Sequence, residues 1–213
     1  LGVPKKGTSQ MVSLLDYDED SPSKVAASLM FAQTGHSLKD LENHMRGVSK
    51  EEKIKLFDTI CDERGNRRHK SPRALERAEF TFEIVANFGI YRDLQRHRML
   101  SQERQLLTCD LGYYLPKEIV GTSVEVPYRE AVERAKKAFD QIRAELPEEA
   151  QYIVPMAYNI RWYFHVNLRA LQWMCELRSG AAGHAMYRLV AQEMAQQVVA
   201  AQPEFKSFFK FVD

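Results

Sequence analysis

Phe80-Thr81-Phe82-Glu83-Ile84-Val85 sets apolar side chains at 80, 82 and 84 and polar ones between them. Alternation with a period of two reads as a β-strand with one buried face. A few residues on comes Tyr91-Arg92-Asp93-Leu94-Gln95-Arg96-His97-Arg98-Met99-Leu100-Ser101-Gln102-Glu103-Arg104-Gln105. A cationic cluster following directly on a buried strand is costly to desolvate unless an anion neutralises it. Arg96 and Arg98 suit a phosphate or carboxylate, because a guanidinium forks onto two oxygens. His97 sits between them and can donate, accept or change charge near neutral pH. The competing reading is a solvated helix of mixed charge, with Asp93 and Glu103 pairing the arginines. The spacing of Leu94 with Tyr91 and Arg98 predicts helix over 91–98.

Upstream of the strand, Met11 to Leu15 reads as a short strand. Ser21-Pro22-Ser23 opens a helix that Gly35 closes. Ser37 with Asp40, and Ser49 with Glu52, carry the spacing of a capping box and predict two more helices, ending at Gly47 and near Glu63. Arg67 to Pro72 is a basic loop, and Arg73 to Arg77 a single helical turn. Downstream, Leu106 to Pro116 reads as irregular. Pro127 opens a long helix with Ala131, Ala135, Phe139 and Ile142 in its apolar stripe. Pro147 opens another, ending near Met156. Tyr158 to Phe164 has strand character. Asn167 to Arg178 is helical with a Leu168, Leu171 and Cys175 stripe. Ala181 to Ala201 is a long helix stopped by Pro203. Phe205, Phe208, Phe209 and Phe211 then need burial, with a neighbouring subunit as one place for it. The sum is a helix-rich α+β fold with a small sheet.

The chain has 213 residues, enough for one domain with a substantial core. Residues 1–10, rich in Gly, Pro, Lys and Ser, read as a linker, with 11–213 a single domain. The net charge of +1 argues against a nucleic-acid polymer or a membrane as partner. Cys61, Cys109 and Cys175 are odd in number and scattered. That points to a reducing, cytoplasmic setting and away from a metal site.

A second informative stretch is Val166-Asn167-Leu168-Arg169-Ala170-Leu171-Gln172-Trp173-Met174-Cys175-Glu176-Leu177-Arg178. Arg169 and Arg178 are expected on roughly the same side of one helix, two and a half turns apart. Asn167 falls at its start, where a bound anion meets free backbone N–H groups. Taken alone, an N-cap asparagine and two snorkelling arginines explain it as well. His165 and His184 are expected to be satisfied core histidines rather than ligands.

Together these stretches resemble the flavin-dependent thymidylate synthases. The resemblance is carried by Arg96-His97-Arg98 with Ser101, His69-Lys70-Ser71 before Phe80-Thr81-Phe82, Val154-Pro155, Val166-Asn167-Leu168-Arg169 and Leu177-Arg178. Val12 to Tyr17 and the helix after it are similar to the family's first strand and helix. The resemblance implies an α+β fold with a mostly antiparallel sheet, assembled as homo-oligomers with sites at subunit interfaces. It also implies FAD as cofactor, NADPH as reductant and methylenetetrahydrofolate as methylene donor to C5 of dUMP. By position it assigns Ser71, Arg96, His97, Arg98, Asn167 and Arg169 to the flavin. Arg178 falls beside the pyrimidine as the catalytic arginine, and Arg96, Glu103, Arg104 and Gln105 fall to the nucleotide.

The departures fall on one side. Leu106, Thr108, Gln151 and Asp93 stand where family members carry a serine, two arginines and a glutamine for the nucleotide. Trp173 replaces an asparagine that helps hold FAD. Glu76-Arg77 and Gly183-His184-Ala185-Met186 also depart from the pattern. Three readings follow: an active synthase with a rearranged nucleotide site, a flavin enzyme for another nucleotide or small anion, or a non-catalytic copy fused to an active one. Under the first two, Glu103, Arg104 and Gln105 must point inward.

Overall fold

The computed structural model describes residues 10–213. The expected linker at 1–10 therefore lies almost wholly outside the described residues. The elements run β1 (Val12–Tyr17), α1 (Ser21–Phe31), α2 (Leu38–Gly47), α3 (Lys50–Asp62), β2 (Glu79–Asn87), α4 (Phe88–Leu94) and β3 (Ser101–Arg104). They continue with α5 (Glu125–Arg143), β4 (Asn159–Asn167), α6 (Leu168–Arg178) and α7 (Ala185–Ala201). Short 3-10 turns cover Arg73–Arg77, Lys117–Ile119, Glu149–Ile153 and Pro203–Phe209. The strands form one antiparallel sheet in the order β1-β2-β4-β3. The β2–β4 register is fixed at both ends by backbone bonds, Leu168 N–H to Ala78 O at 2.8 Å and Phe88 N–H to Tyr158 O at 2.9 Å. This is the α+β architecture the sequence predicts.

Local chemistry places α2 and α3 as expected. Ser49 and Glu52 form a reciprocal capping box on α3, and the Ser37 side chain accepts from Asp40 N–H at the start of α2. Both long strands start directly into a helix. Asn87 caps α4 and Asn167 caps α6, each accepting a backbone N–H through Oδ1 at 3.0 Å.

The chain divides into two compact units. One comprises Val12–Glu83, His97–Ser101 and Phe164–Asp213. Its core gathers Phe57, Phe80, Phe82, Phe164, Leu171, Cys175, Val190, Met194 and Val198, all buried. The C-terminal phenylalanines belong to it. Phe205 and Phe208 are fully buried and Phe209 nearly so, so the burial of these three is met within the chain, while Phe211 is only partly buried. The other unit comprises Ile84–Arg96 and Gln102–Tyr163, with residue 11. Its core is built on Ile84, Ile90, Leu94, Val132, Phe139, Tyr158, Ile160 and Trp162.

Four expectations need correction here. Helix α4 stops at Leu94, so only the first residues of the 91–98 cluster are helical, and Ser101–Arg104 is a strand that the charge density hid. The 147–156 stretch makes only the turn Glu149–Ile153, too short for the helix its proline suggests. The buried stripe of α5 is Val132 and Phe139, seven residues or two turns apart, while Ala131 is exposed. Helix α7 starts at Ala185 rather than Ala181, capped by His184.

Candidate functional site

The α6 helix organises the candidate residues of the Val12–Glu83 unit. Asn167 takes extended backbone angles (φ −76°, ψ 159°) and spends its Oδ1 on the Ala170 N–H. Arg169 lies in the first turn. Its Nε donates to the Ser71 carbonyl at 3.0 Å, and its Nη1 pairs with Glu76 Oε1 at 2.8 Å. The Ser71 hydroxyl donates to Gln172 Oε1, whose amide in turn donates to Phe208 O at 2.5 Å. Ser71, Glu76 and Arg169 thus form one cluster, and Ser71 turns its hydroxyl into the core.

Arg178, the last residue of α6, belongs to a different cluster. Nine residues turn an α-helix through two full turns and a half, which puts the two arginines on opposite sides and not on the same side as expected. Arg178 Nε donates to His97 Nε2 at 2.9 Å, and its guanidinium lies 5.4 Å from the centroid of the Tyr187 ring. An arginine only donates, so His97 Nε2 is the acceptor and the ring proton sits on Nδ1. Burial, helped by the Arg178 charge, lowers the His97 pKa from its ordinary 6.5 to about 4. The imidazole is neutral at physiological pH. Because its folded pKa lies below its unfolded one, the unfolded chain takes up this proton first as pH falls. The contribution of neutral His97 is complete above 6.5 and is lost towards pH 4. We expect the urea midpoint to fall across that window, and His97→Gln to flatten the slope. An unchanged slope in the variant would mean that other groups set it.

Arg98 is exposed beside His97. In the other unit, Arg96 is largely exposed and pairs loosely with Asp93 at 3.7 Å. Glu103, Arg104 and Gln105 are exposed at β3, an edge of the sheet, and do not point inward. Among the described residues no ion pair joins Glu103 to Arg98 or Arg104. Arg104 Nη1 instead donates to Gln105 O at 3.0 Å and reaches Gln151 Oε1 at 3.4 Å. His165 is a surface rather than a core residue, 3.0 Å from the Thr81 hydroxyl. His184 caps α7 from an exposed position. All three cysteines are buried and free, with Cys109 pushed up to about 11 by desolvation, which makes it a poor nucleophile.

Residues 13–204 match the thymidylate synthase complementing protein family. The chain belongs to that family. It is 53% identical to a UPF0159 protein of Chlamydia muridarum over 95% of its own length and 38% of that protein's. To a UPF0159 protein of Chlamydia pneumoniae it is 52% identical, over 97% and 39%. The chain therefore spans about two-fifths of the length of these relatives. It is 28% identical to a flavin-dependent thymidylate synthase of Clostridium tetani, over 94% of the chain and 85% of that enzyme. The fold is shared with a UMP/dUMP methylase, PolB, of Streptomyces cacaoi, at a TM-score of 0.72, 17% identity and 93% coverage of both chains.

This thymidylate synthase complementing protein family member has site neighbours that the sequence reading passed over. Tyr187, Glu76 and Gln172 hold Arg178, Arg169 and Ser71. No spacing within one helix links Arg178 to Tyr187, because the two sit on α6 and α7 either side of a turn. No helix of the described residues is long and apolar enough to cross a membrane.

Proposed function

We propose that this chain is a flavin-binding domain of the thymidylate synthase type, in which Arg178 serves a pyrimidine nucleotide such as dUMP. The observation that carries this reading is the Arg178 Nε–H bond to a neutral His97. A guanidinium keeps its proton at any physiological pH. Held beside an uncharged imidazole, it stabilises negative charge that develops on a pyrimidine ring without itself titrating.

The donor set fits a flavin in part. Arg98 is exposed and Arg169 half-exposed, and a guanidinium of either suits the diphosphate of FAD, with Asn167 beside Arg169 in sequence and His97 beside Arg98. Ser71 fits only indirectly, since its hydroxyl serves Gln172 and its carbonyl orients Arg169. FAD would supply hydride chemistry drawn from NADPH, with methylenetetrahydrofolate as the one-carbon donor. In the other unit, Arg104 reaches Gln151, the position where the family resemblance calls for a lost arginine. Glu103, Arg104 and Gln105 are exposed at the sheet edge instead of turned inward, which counts for the second reading below.

A second reading is favoured by length. Relatives more than 50% identical are over twice as long, leaving room for another such domain. This chain then acts as a non-catalytic copy beside an active one, and its partner is that domain or another copy of itself. Absorbance spectra before and after adding FAD, followed by a dUMP titration, separate the readings. Flavin bands that shift with dUMP support the synthase-type domain. Bands indifferent to dUMP support a flavin enzyme for another nucleotide. Absence of flavin binding rejects the enzyme readings and leaves the structural copy.

A further inference from the structure

The α6–α7 turn is pinned from several directions. Arg188 Nε donates to Ser179 O at 2.8 Å, Asp213 N–H donates to the Ser179 hydroxyl at 3.0 Å, and Gly183 N–H bonds Gly180 O at 2.9 Å. That turn delivers Tyr187, in the first turn of α7, to the guanidinium at the end of α6. Gly183 lies against the same ring. A Cβ added there would stand 2.5 Å from Tyr187 Cε2, 2.7 Å from its hydroxyl oxygen and 2.9 Å from Cζ. No real side chain tolerates such distances, so the ring occupies space that only glycine leaves open. The Gly183 backbone does not itself lie in the left-handed region, where Cβ would be strained for other reasons.

We infer that Tyr187 is a positioning residue: its ring seats the Arg178 guanidinium in register with His97, and Gly183 is side-chain-free to admit that ring. The attraction is between a cation and the electron-rich ring face, strongest where water is partly excluded. His97 holds the guanidinium at Nε, and the central guanidinium carbon lies over the Tyr187 ring. Arg178 matters to ligand only if the reading under Proposed function holds, but its seating can be measured without ligand.

The test is a pH titration of His97 by imidazole nitrogen NMR in the full chain, in the wild type and in three variants, each checked for folding by circular dichroism. The wild-type His97 midpoint lies well below the ordinary histidine value. Tyr187→Leu removes the ring face, and Gly183→Ala displaces the ring while leaving it in the chain. In both, Arg178 loses its seat and its charge withdraws from His97. The midpoint is expected to rise by about one unit, a tenfold gain in proton affinity, with weakening of the Nε2 acceptor signature. Tyr187→Phe keeps the ring and is expected to titrate like the wild type. A residue that merely packed would change stability and leave the His97 midpoint in place. Folded Tyr187→Leu and Gly183→Ala chains with an unmoved midpoint overturn the inference. So does a Tyr187→Phe chain that matches Tyr187→Leu, since the hydroxyl would then be the active feature. If Tyr187→Leu does not fold, Gly183→Ala decides alone, because the displaced ring lies at the end of a rotatable side chain. Failure of flavin to bind would reject the proposed function while leaving this result standing.

Discussion

Glu176→Ala is expected to destabilise the native chain by about 3–5 kcal/mol, the usual cost of stranding one member of a buried ion pair. Glu176 is fully buried and Arg64 nearly so, at 0% and 6% side-chain exposure. The pair is bidentate, Nη2 to Oε2 at 2.6 Å and Nη1 to Oε1 at 3.0 Å. The remaining guanidinium contacts go to protein as well, Nε to His69 O at 3.1 Å and Nη1 to Phe208 O at 3.4 Å. Without Glu176 this charge has no counterion, and an arginine cannot shed its proton to escape. The double variant Arg64→Met with Glu176→Leu is expected to recover most of the loss, because the penalty comes from the unpaired charge and not from absence of the pair. Urea unfolding of the three chains checks this. A loss below about 1 kcal/mol in Glu176→Ala would mean that water reaches Arg64 and the pair behaves as a surface one.

Phe208→Ala is expected to cost about 3–5 kcal/mol by the removal of a large buried ring and the cavity left behind. The ring is fully buried and lies 5.3 Å from Phe57 and 6.1 Å from Phe205, centroid to centroid. Phe205 continues the cluster to Phe57 at 5.6 Å and to Phe80 of β2 at 6.4 Å. The backbone carbonyl of Phe208, which accepts from Arg64 and Gln172, is untouched by the substitution. These partners lie in the same chain, so the drop in urea midpoint from wild type to variant should be the same at all protein concentrations. A drop that changes with concentration would return the phenylalanines to an intersubunit role.

Much of the fold could be read locally. Ser37, Ser49 and Asn167 announce helices because a short side chain reaches a backbone N–H only three residues away. The 80–85 alternation announces β2 because strand faces invert at every residue. Errors arose where two signals overlapped. The charges of 91–105 masked the short strand at Ser101–Arg104, since an edge strand needs little apolar content on its exposed side. Pro147 signalled a helix start that the next residues did not extend beyond one 3-10 turn. Arg169 and Arg178 were expected on one side of α6, whereas nine residues of helix leave a half-turn between them and separate their partners.

The family is legible in residues 13–204, and the α+β fold follows from local patterns of caps and alternation. The side chains chemically able to hold anions are legible there too. What those side chains touch is a property of the folded chain. Ser71 could have faced a ligand and instead faces Gln172, 101 residues away in sequence; His97 meets Arg178 across 81 residues, and Arg64 meets Glu176 across 112. Capping and periodicity act within one helical turn, whereas desolvation and pairing act between residues that only the folded chain brings together. The neutrality of His97 and the seat of Arg178 on Tyr187 are properties of that second kind.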